Sequence, residues 1–81
     1  MRVCIVWEDV PEHTYTYALD FEGKDLAKVK ACHGHFINSG SEPDELQWLM
    51  EYLGEKRDSR KELDEPLDGP FDCVVVCGFL C

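Results

Sequence analysis

The stretch from residue 71 to residue 80 is apolar on both of its faces, and this feature constrains the fold more than any other. Its alternating positions are Phe71, Cys73, Val75, Cys77 and Phe79 on one side and Val74, Val76 and Leu80 on the other. β-Branched valines favour a strand, and a strand that is apolar on both faces is typical of a sheet interior. We therefore expect a strand here that does not lie at a solvent-washed edge.

Two segments near the start of the chain also have strand patterns. Residues 3–10 are rich in β-branched side chains, and residues 13–21 alternate between two faces, with Tyr15, Tyr17 and Leu19 on the same one. That period of two is typical of a strand. Because only Pro11-Glu12 separates the two segments, they are expected to form a hairpin.

Two segments in the middle of the chain have helical spacing. The first begins near Asp20, a candidate N-cap, carries Leu26 and Val29, and ends near Gly34. The second opens with Ser41-Glu42-Pro43-Asp44, which resembles a capping box with its proline in the first turn. Its apolar stripe consists of Leu46, Leu49, Met50 and Leu53.

These elements predict a single α+β domain over residues 1–81, in the order ββααβ. We expect a three-stranded sheet with two helices on one face. If the last strand lies beside the first, the crossover makes the two strands parallel and gives the order 2-1-3. Residues 35–40 are predicted to be a short connection. Ten of the sixteen residues in 55–70 are charged, so this segment is predicted to be a charged loop or a frayed extension of the second helix.

Two helices cover only one face of such a sheet, although both faces of its strands are apolar. Either the odd-numbered or the even-numbered side chains therefore face away from the helices. An exposed apolar sheet face usually marks an interface, so we expect the chain to form a homodimer or to dock a partner through this open face. The alternative is that the charged segment folds back over it.

The five cysteines are predicted to be free thiols rather than metal ligands. Cys32, His33 and His35 are ligand types that zinc prefers, but a structural zinc site needs four ligands. We interpret them instead as the C-terminus of a helix with a packed thiol. In Cys73-x₃-Cys77-x₃-Cys81, successive thiols lie about 13 Å apart along a strand, too far to share one ion. We therefore predict no metal, no cofactor and no enzymatic activity.

Acidic residues number 17 and basic residues 8, which gives a net charge of −9. This balance argues against direct nucleic-acid binding, which needs clustered Lys and Arg, and against attraction to anionic lipid. No apolar run reaches the roughly 20 residues that span a bilayer, and acidic residues follow too soon after Met1 for a signal peptide. We therefore expect a cytoplasmic protein that contacts neither nucleic acid nor membrane.

The negative charge is concentrated in one region of the chain. Residues 42–72 contain eleven acidic and four basic residues, whereas residues 73–81 contain no charge. Helical spacing would align the acidic side chains as a strip, which could steer a basic partner or simply keep a small protein in solution. The strip comprises Glu45, Glu51, Glu55, Asp58 and Glu62. The predicted partner-binding residues are Glu42, Asp44, Glu45, Trp48, Glu51, Tyr52, Glu55, Asp58 and Glu62.

The expected function is that of a non-enzymatic inhibitor whose acidic surface blocks a basic, nucleic-acid-binding surface of a host or defence protein. The alternative is a small-molecule or nucleotide-binding sponge, or a dimeric adaptor. Its polar pocket would then be formed by His33, His35, Asn38 and Ser39.

As one short acidic domain without a catalytic motif, the chain from Met1 to Cys81 resembles small phage-encoded inhibitors, including anti-CRISPR proteins and other anti-defence factors. The resemblance covers the whole chain in size and charge and involves no residue pattern, so it transfers no site residues. It implies a stoichiometric inhibitor that mimics nucleic acid and blocks a nucleic-acid-binding surface or a defence signal. Acidic regulators of cationic host domains have the same properties.

Overall fold

The computed structural model describes residues 1–9, 13–40, 42–67 and 69–79. These residues form five strands and two helices in one α+β unit. In chain order they are β1 Arg2–Asp9, β2 His13–Asp20, α1 Gly23–Ala31, β3 Phe36–Ile37, α2 Asp44–Glu55, β4 Arg60–Glu62 and β5 Cys73–Phe79. A single 3-10 turn at Arg57–Ser59 leads from α2 into β4.

All five strands belong to one mixed sheet in the order β3-β5-β1-β2-β4. β1 and β2 form an antiparallel hairpin, and β5 runs parallel to β1, as the sequence predicts. The α+β class is confirmed, but the prediction of a three-stranded sheet is wrong. β3 adds a parallel strand beyond β5, and β4 adds an antiparallel strand beyond β2. β5 is therefore an interior strand, in agreement with its apolar composition.

The two additional strands are short and carry no hydrophobic periodicity. β3 has two residues, and the three residues of β4, Arg60, Lys61 and Glu62, are all charged. Backbone pairing with β2 holds β4 in place, and the Leu63 N–H extends that pairing by donating to the Thr14 carbonyl at 3.0 Å. The charge and hydropathy patterns of the sequence therefore do not reveal β4 within residues 55–70 or β3 within residues 35–40.

The odd-numbered side chains of β1, β2 and β5 share the face that packs against both helices, and they form the core. Ile5 and Val75, which are cross-strand neighbours, are fully buried there. They pack in one cluster with Val29 of α1 and with the apolar stripe of α2. A shift of one residue in register would turn these side chains away from the helices, so the core fixes the register of the sheet.

Both helices begin later than the sequence predicts. α1 begins at Gly23, with Glu22 at the N-cap, because Asp20 still belongs to β2. α2 begins at Asp44, and Pro43 occupies the N-cap rather than the first turn. Neither N-cap side chain makes a capping hydrogen bond. Ser41, the predicted start of a capping box, lies outside the described residues.

The connection from β4 to β5 crosses the sheet on the face opposite the helices. Because β4 lies beyond β2 and β5 lies beyond β1, the connection between them passes over both strands of the hairpin. We call its described residues, 63–67 and 69–72, the crossing segment. Lys61 lies opposite Thr16, on the face away from the helices. At this end of the crossing segment, the Lys61 ammonium group donates to the Pro66 carbonyl at 3.4 Å. At the other end, the Arg2 guanidinium lies 5.3 Å from the centre of the Phe71 ring.

The crossing segment covers part of the face that the sequence analysis expects to be open. Cys4 and Thr16, on the even-numbered side of the hairpin, are only 7% and 4% exposed. Val74, on the same side of β5, is 52% exposed. Leu80, which the alternation of the sequence assigns to the same side as Val74, lies outside the described residues. A homodimer through this face stays a prediction, and the apolar surface available for it is centred on β5.

Phe71→Ala is expected to make the Cys4 thiol more accessible, because it removes the ring that contacts Arg2 at one end of the crossing segment. Easier local opening should speed alkylation of Cys4 about fivefold. Alkylation of Cys32 and Cys77, which lie in the core beneath the helices, should change much less. Mass spectrometry of pulse-labelled protein gives the three rates. Leu63→Ala, at a side chain that is 59% exposed, is the control, and equal Cys4 rates in both variants would contradict this reading of the crossing segment.

Candidate partner-binding surface

The outer face of α2 presents three carboxylates and two aromatic rings side by side. Asp44, Glu51 and Glu55 are exposed, and Trp48 and Tyr52 are half-buried. Residues three or four apart are neighbours on a helix, so Asp44 and Glu51 flank Trp48 while Glu55 flanks Tyr52. We call these five residues the acidic–aromatic surface. They all belong to the predicted partner-binding set, and the helix brings them together.

The carboxylates of the acidic–aromatic surface are not neutralised by the fold. Within the described residues, no ion pair joins Asp44, Glu51 or Glu55 to a lysine or arginine; the N-terminal ammonium instead pairs with Glu22. Exposed carboxylates without a cationic partner keep their full field toward solvent. That field falls off over roughly 10 Å in dilute salt, so it acts on partners that approach α2 closely.

The two rings of the surface are held by contacts with Phe21, which lies between β2 and α1. Trp48 and Tyr52 lie with ring centroids 5.6 Å apart and planes inclined by 33°. Phe21 packs against both, at 6.4 Å from Trp48 and 5.3 Å from Tyr52. Because Phe21 is itself only 3% exposed, it anchors the pair to the core. The rings are therefore fixed in position with one side partly open to solvent.

Lysine side chains lie over both rings. The Lys28 Nζ of α1 is 5.0 Å from the Trp48 ring centroid, and the Lys56 Nζ is 5.6 Å from that of Tyr52. Neither lysine is among the predicted partner-binding residues. The spacing between Tyr52 and Lys56 could have indicated the second contact, whereas the first joins two helices and leaves no local signal in the sequence.

Two other predicted partner-binding residues, Asp58 and Glu62, lie beyond the end of α2 and outside this surface. α2 ends at Glu55, so Asp58 falls in the 3-10 turn and Glu62 lies at the end of β4, opposite Tyr15. Glu45 is half-buried on α2, close enough to Cys32 to help raise the pKa of that thiol. The single helical strip from Glu45 to Glu62 therefore does not form, because α2 is too short to carry it.

Glu42 organises the turn that precedes α2. Its carboxylate accepts a hydrogen bond from the Gly40 N–H at 3.2 Å. Hydrogen bonds from backbone groups, its own and those of Asn38 and Gly40, together with one from the Ser39 side chain, lower the pKa of Glu42. Asn38 adopts a φ of 74° within this turn. Asn38, Ser39 and Glu42 thus share one hydrogen-bonded turn.

His33 has a structural contact at the outer edge of β5. Its Nδ1 accepts a hydrogen bond from the Val76 N–H at 3.1 Å, and the Gly34 N–H donates to the Val76 carbonyl at 2.8 Å. These contacts extend the pairing of β5 to residues that precede the two residues of β3 in the chain. His33 thus contacts the backbone of β5, and the Ser39 side chain hydrogen-bonds to Glu42. The polar pocket of His33, His35, Asn38 and Ser39 stays a prediction.

The described cysteines are free thiols, and two of them lie in the core. Cys32 and Cys77 are fully buried. Burial raises the pKa of Cys32 to about 11 and that of Cys77 to about 12, and the proximity of Cys32 contributes to the latter. Such thiols stay protonated and unreactive at neutral pH. Cys81, the end of the predicted cysteine spacing, lies outside the described residues.

Within the described ranges, no three His, Cys, Asp or Glu side chains come together in an arrangement that could hold a metal ion. Neither α1 nor α2, the helices of the described part of the chain, is long and apolar enough to cross a bilayer.

Comparison with models of known protein families found no match, and neither did comparison with curated protein sequences or with solved structures.

Proposed function

We propose that this protein is a non-enzymatic inhibitor that uses the acidic–aromatic surface of α2 to block a basic, nucleic-acid-binding surface of another protein. The observation that carries the proposal is the set of exposed, unpaired carboxylates Asp44, Glu51 and Glu55 next to half-buried Trp48 and Tyr52. Carboxylates attract a cationic partner over a distance, and aromatic side chains supply the contact area on which protein interfaces commonly depend.

The distribution of charge supports this direction of binding. With a net charge of −9, the chain repels nucleic acid and attracts proteins that bind nucleic acid. An acidic domain on such a protein occupies the groove in which phosphates would otherwise be neutralised. The same properties characterise phage-encoded anti-defence inhibitors, and a defence nuclease or its host counterpart is the class of target that we propose, in the cytoplasm.

A displacement experiment tests the proposal. A fluorescently labelled DNA oligonucleotide is bound to a deca-arginine peptide, and the purified chain is added at increasing concentration. We expect the chain to release the oligonucleotide, because its carboxylates compete with phosphates for the same cations.

A matched pair of variants separates the surface from net charge. Asp44→Asn/Glu51→Gln/Glu55→Gln removes three charges from α2, and we expect about a tenfold loss of competition. Glu8→Gln/Asp20→Asn/Asp64→Asn removes three exposed charges away from α2, two of them on the opposite sheet face, and should cost no more than about twofold by charge alone. Equal losses in both variants, or no displacement by the wild type, would overturn the proposal.

A further inference from the structure

We infer that the rings of Trp48 and Tyr52 are arginine-binding positions, which the protein's own Lys28 and Lys56 occupy until a partner's guanidinium groups replace them. This inference rests on the proposed function and specifies the partner's chemistry: arginine side chains rather than positive charge in general. It identifies the aromatic rings as the part of the surface that selects among basic partners.

The rings have a geometry that suits planar cations. Their centroids are 5.6 Å apart along α2, and Phe21 holds them from one side. The ammonium groups of Lys28 and Lys56 lie within cation–π distance of the two centroids, at 5.0 Å and 5.6 Å. Both rings thus already bind a cation in the isolated chain.

The same fold contains a guanidinium on an aromatic ring, and it lies closer. The Cζ of Arg60 is 4.3 Å from the Tyr15 ring centroid, nearer than either lysine is to its ring. A guanidinium is planar and weakly hydrated, so it can stack on a ring with little loss of hydration, whereas an ammonium is a strongly hydrated point charge. An arginine is therefore the better occupant of a ring face.

The carboxylates beside the rings complete an arginine site. Asp44 and Glu51 flank Trp48, and Glu55 flanks Tyr52, all on the exposed side of α2. A guanidinium stacked on either ring can donate its fork of N–H groups to a neighbouring carboxylate, which an ammonium cannot do in the same bidentate manner. Ring and carboxylate together favour arginine more than either group does alone.

Peptides of equal charge test the inference. Deca-arginine and deca-lysine are titrated into the intact chain, and affinity is measured by isothermal titration calorimetry. We expect the arginine peptide to bind about tenfold more tightly, because only it can both stack and form bidentate hydrogen bonds. Equal affinities for the two peptides would overturn the arginine inference while leaving the proposed function intact. Failure of both peptides to bind would instead overturn the proposed function.

Lysine variants provide a test that leaves the rings and their packing in place. Lys28→Gln/Lys56→Gln vacates both rings and should strengthen binding of deca-arginine about fivefold, with a rise in the arginine-to-lysine preference. Lys24→Gln/Lys30→Gln changes the net charge by the same amount at two exposed residues of α1 and should strengthen both peptides slightly and equally. If the two double variants behave alike, the lysines are not placeholders and the inference fails.

Discussion

Gly78→Ala is expected to destabilise the protein by about 3 kcal/mol, because β5 approaches β1 too closely there for any side chain. A Cβ at this position would lie 2.6 Å from the Glu8 nitrogen and 2.8 Å from its carbonyl carbon, and closer still to the carbonyl oxygen. These are backbone atoms of the paired strand, so no side chain can rotate away. The φ of Gly78, +151°, also lies where residues with a Cβ are rarely found.

Urea unfolding, followed by circular dichroism, measures the effect. The matched control is Gly54→Ala in α2, where a Cβ would meet nothing within 4 Å. That variant should gain about 0.5 kcal/mol, because alanine is the better helix former. A Gly78→Ala variant as stable as the wild type would show that β1 and β5 can separate without cost, contrary to the close pairing described above.

The second large effect is a loss of stability in alkali. Cys32 and Cys77 have pKa values raised by burial to about 11 and about 12, above the ordinary value of 9.0. As the pH rises past that ordinary value, the unfolded chain loses these protons while the folded chain keeps them. The stabilisation is therefore complete below about pH 9 and is lost progressively up to about pH 12. At about pH 10, the loss should be on the order of 1.4 kcal/mol for each thiol.

Single substitutions show whether these thiols cause the loss. Cys77→Val and Cys32→Ala should each lose about 1.4 kcal/mol less than the wild type between about pH 7 and about pH 10, whatever their stability at neutral pH. Urea unfolding under reducing conditions gives the values. Burial also raises the pKa of Cys4 and of Tyr17. These two groups lower the stability in alkali by the same amount in the wild type and in both variants. Identical pH dependence in the three would exclude Cys32 and Cys77 as the cause.

The sequence predicts the parts of the fold that bury apolar side chains with a regular period. Alternation along 13–21 corresponds to β2, the stripe from Leu46 to Leu53 corresponds to α2, and the run of valines corresponds to β5, parallel to β1. The strand Arg60–Glu62 escapes prediction because backbone pairing with β2 holds it. Nothing in the pattern of β1 and β5 reveals which of two apolar faces the helices cover, since both satisfy the same alternation.

The sequence likewise predicts only part of the candidate site. Helical spacing places Asp44, Glu51 and Glu55 on one exposed face. The predicted helical strip from Glu45 to Glu62 is wrong beyond Glu55, because the helix ends there. The contact of Lys28 with Trp48 joins two helices whose relative position depends on the core, so no local rule predicts it.

The position of β5 beside β1 also determines how the chain can fold. Val3 pairs with Cys73, so the central parallel contact joins residues near opposite ends of the described sequence. Contacts of such long sequence separation require nearly the whole chain to be brought together before they form, and the entropy of closing that loop is lost first. Val75 and Cys77 of β5 complete the core that the hairpin and both helices share. We therefore expect slow, all-or-none folding, without a stable partly folded fragment that contains β1 but lacks β5.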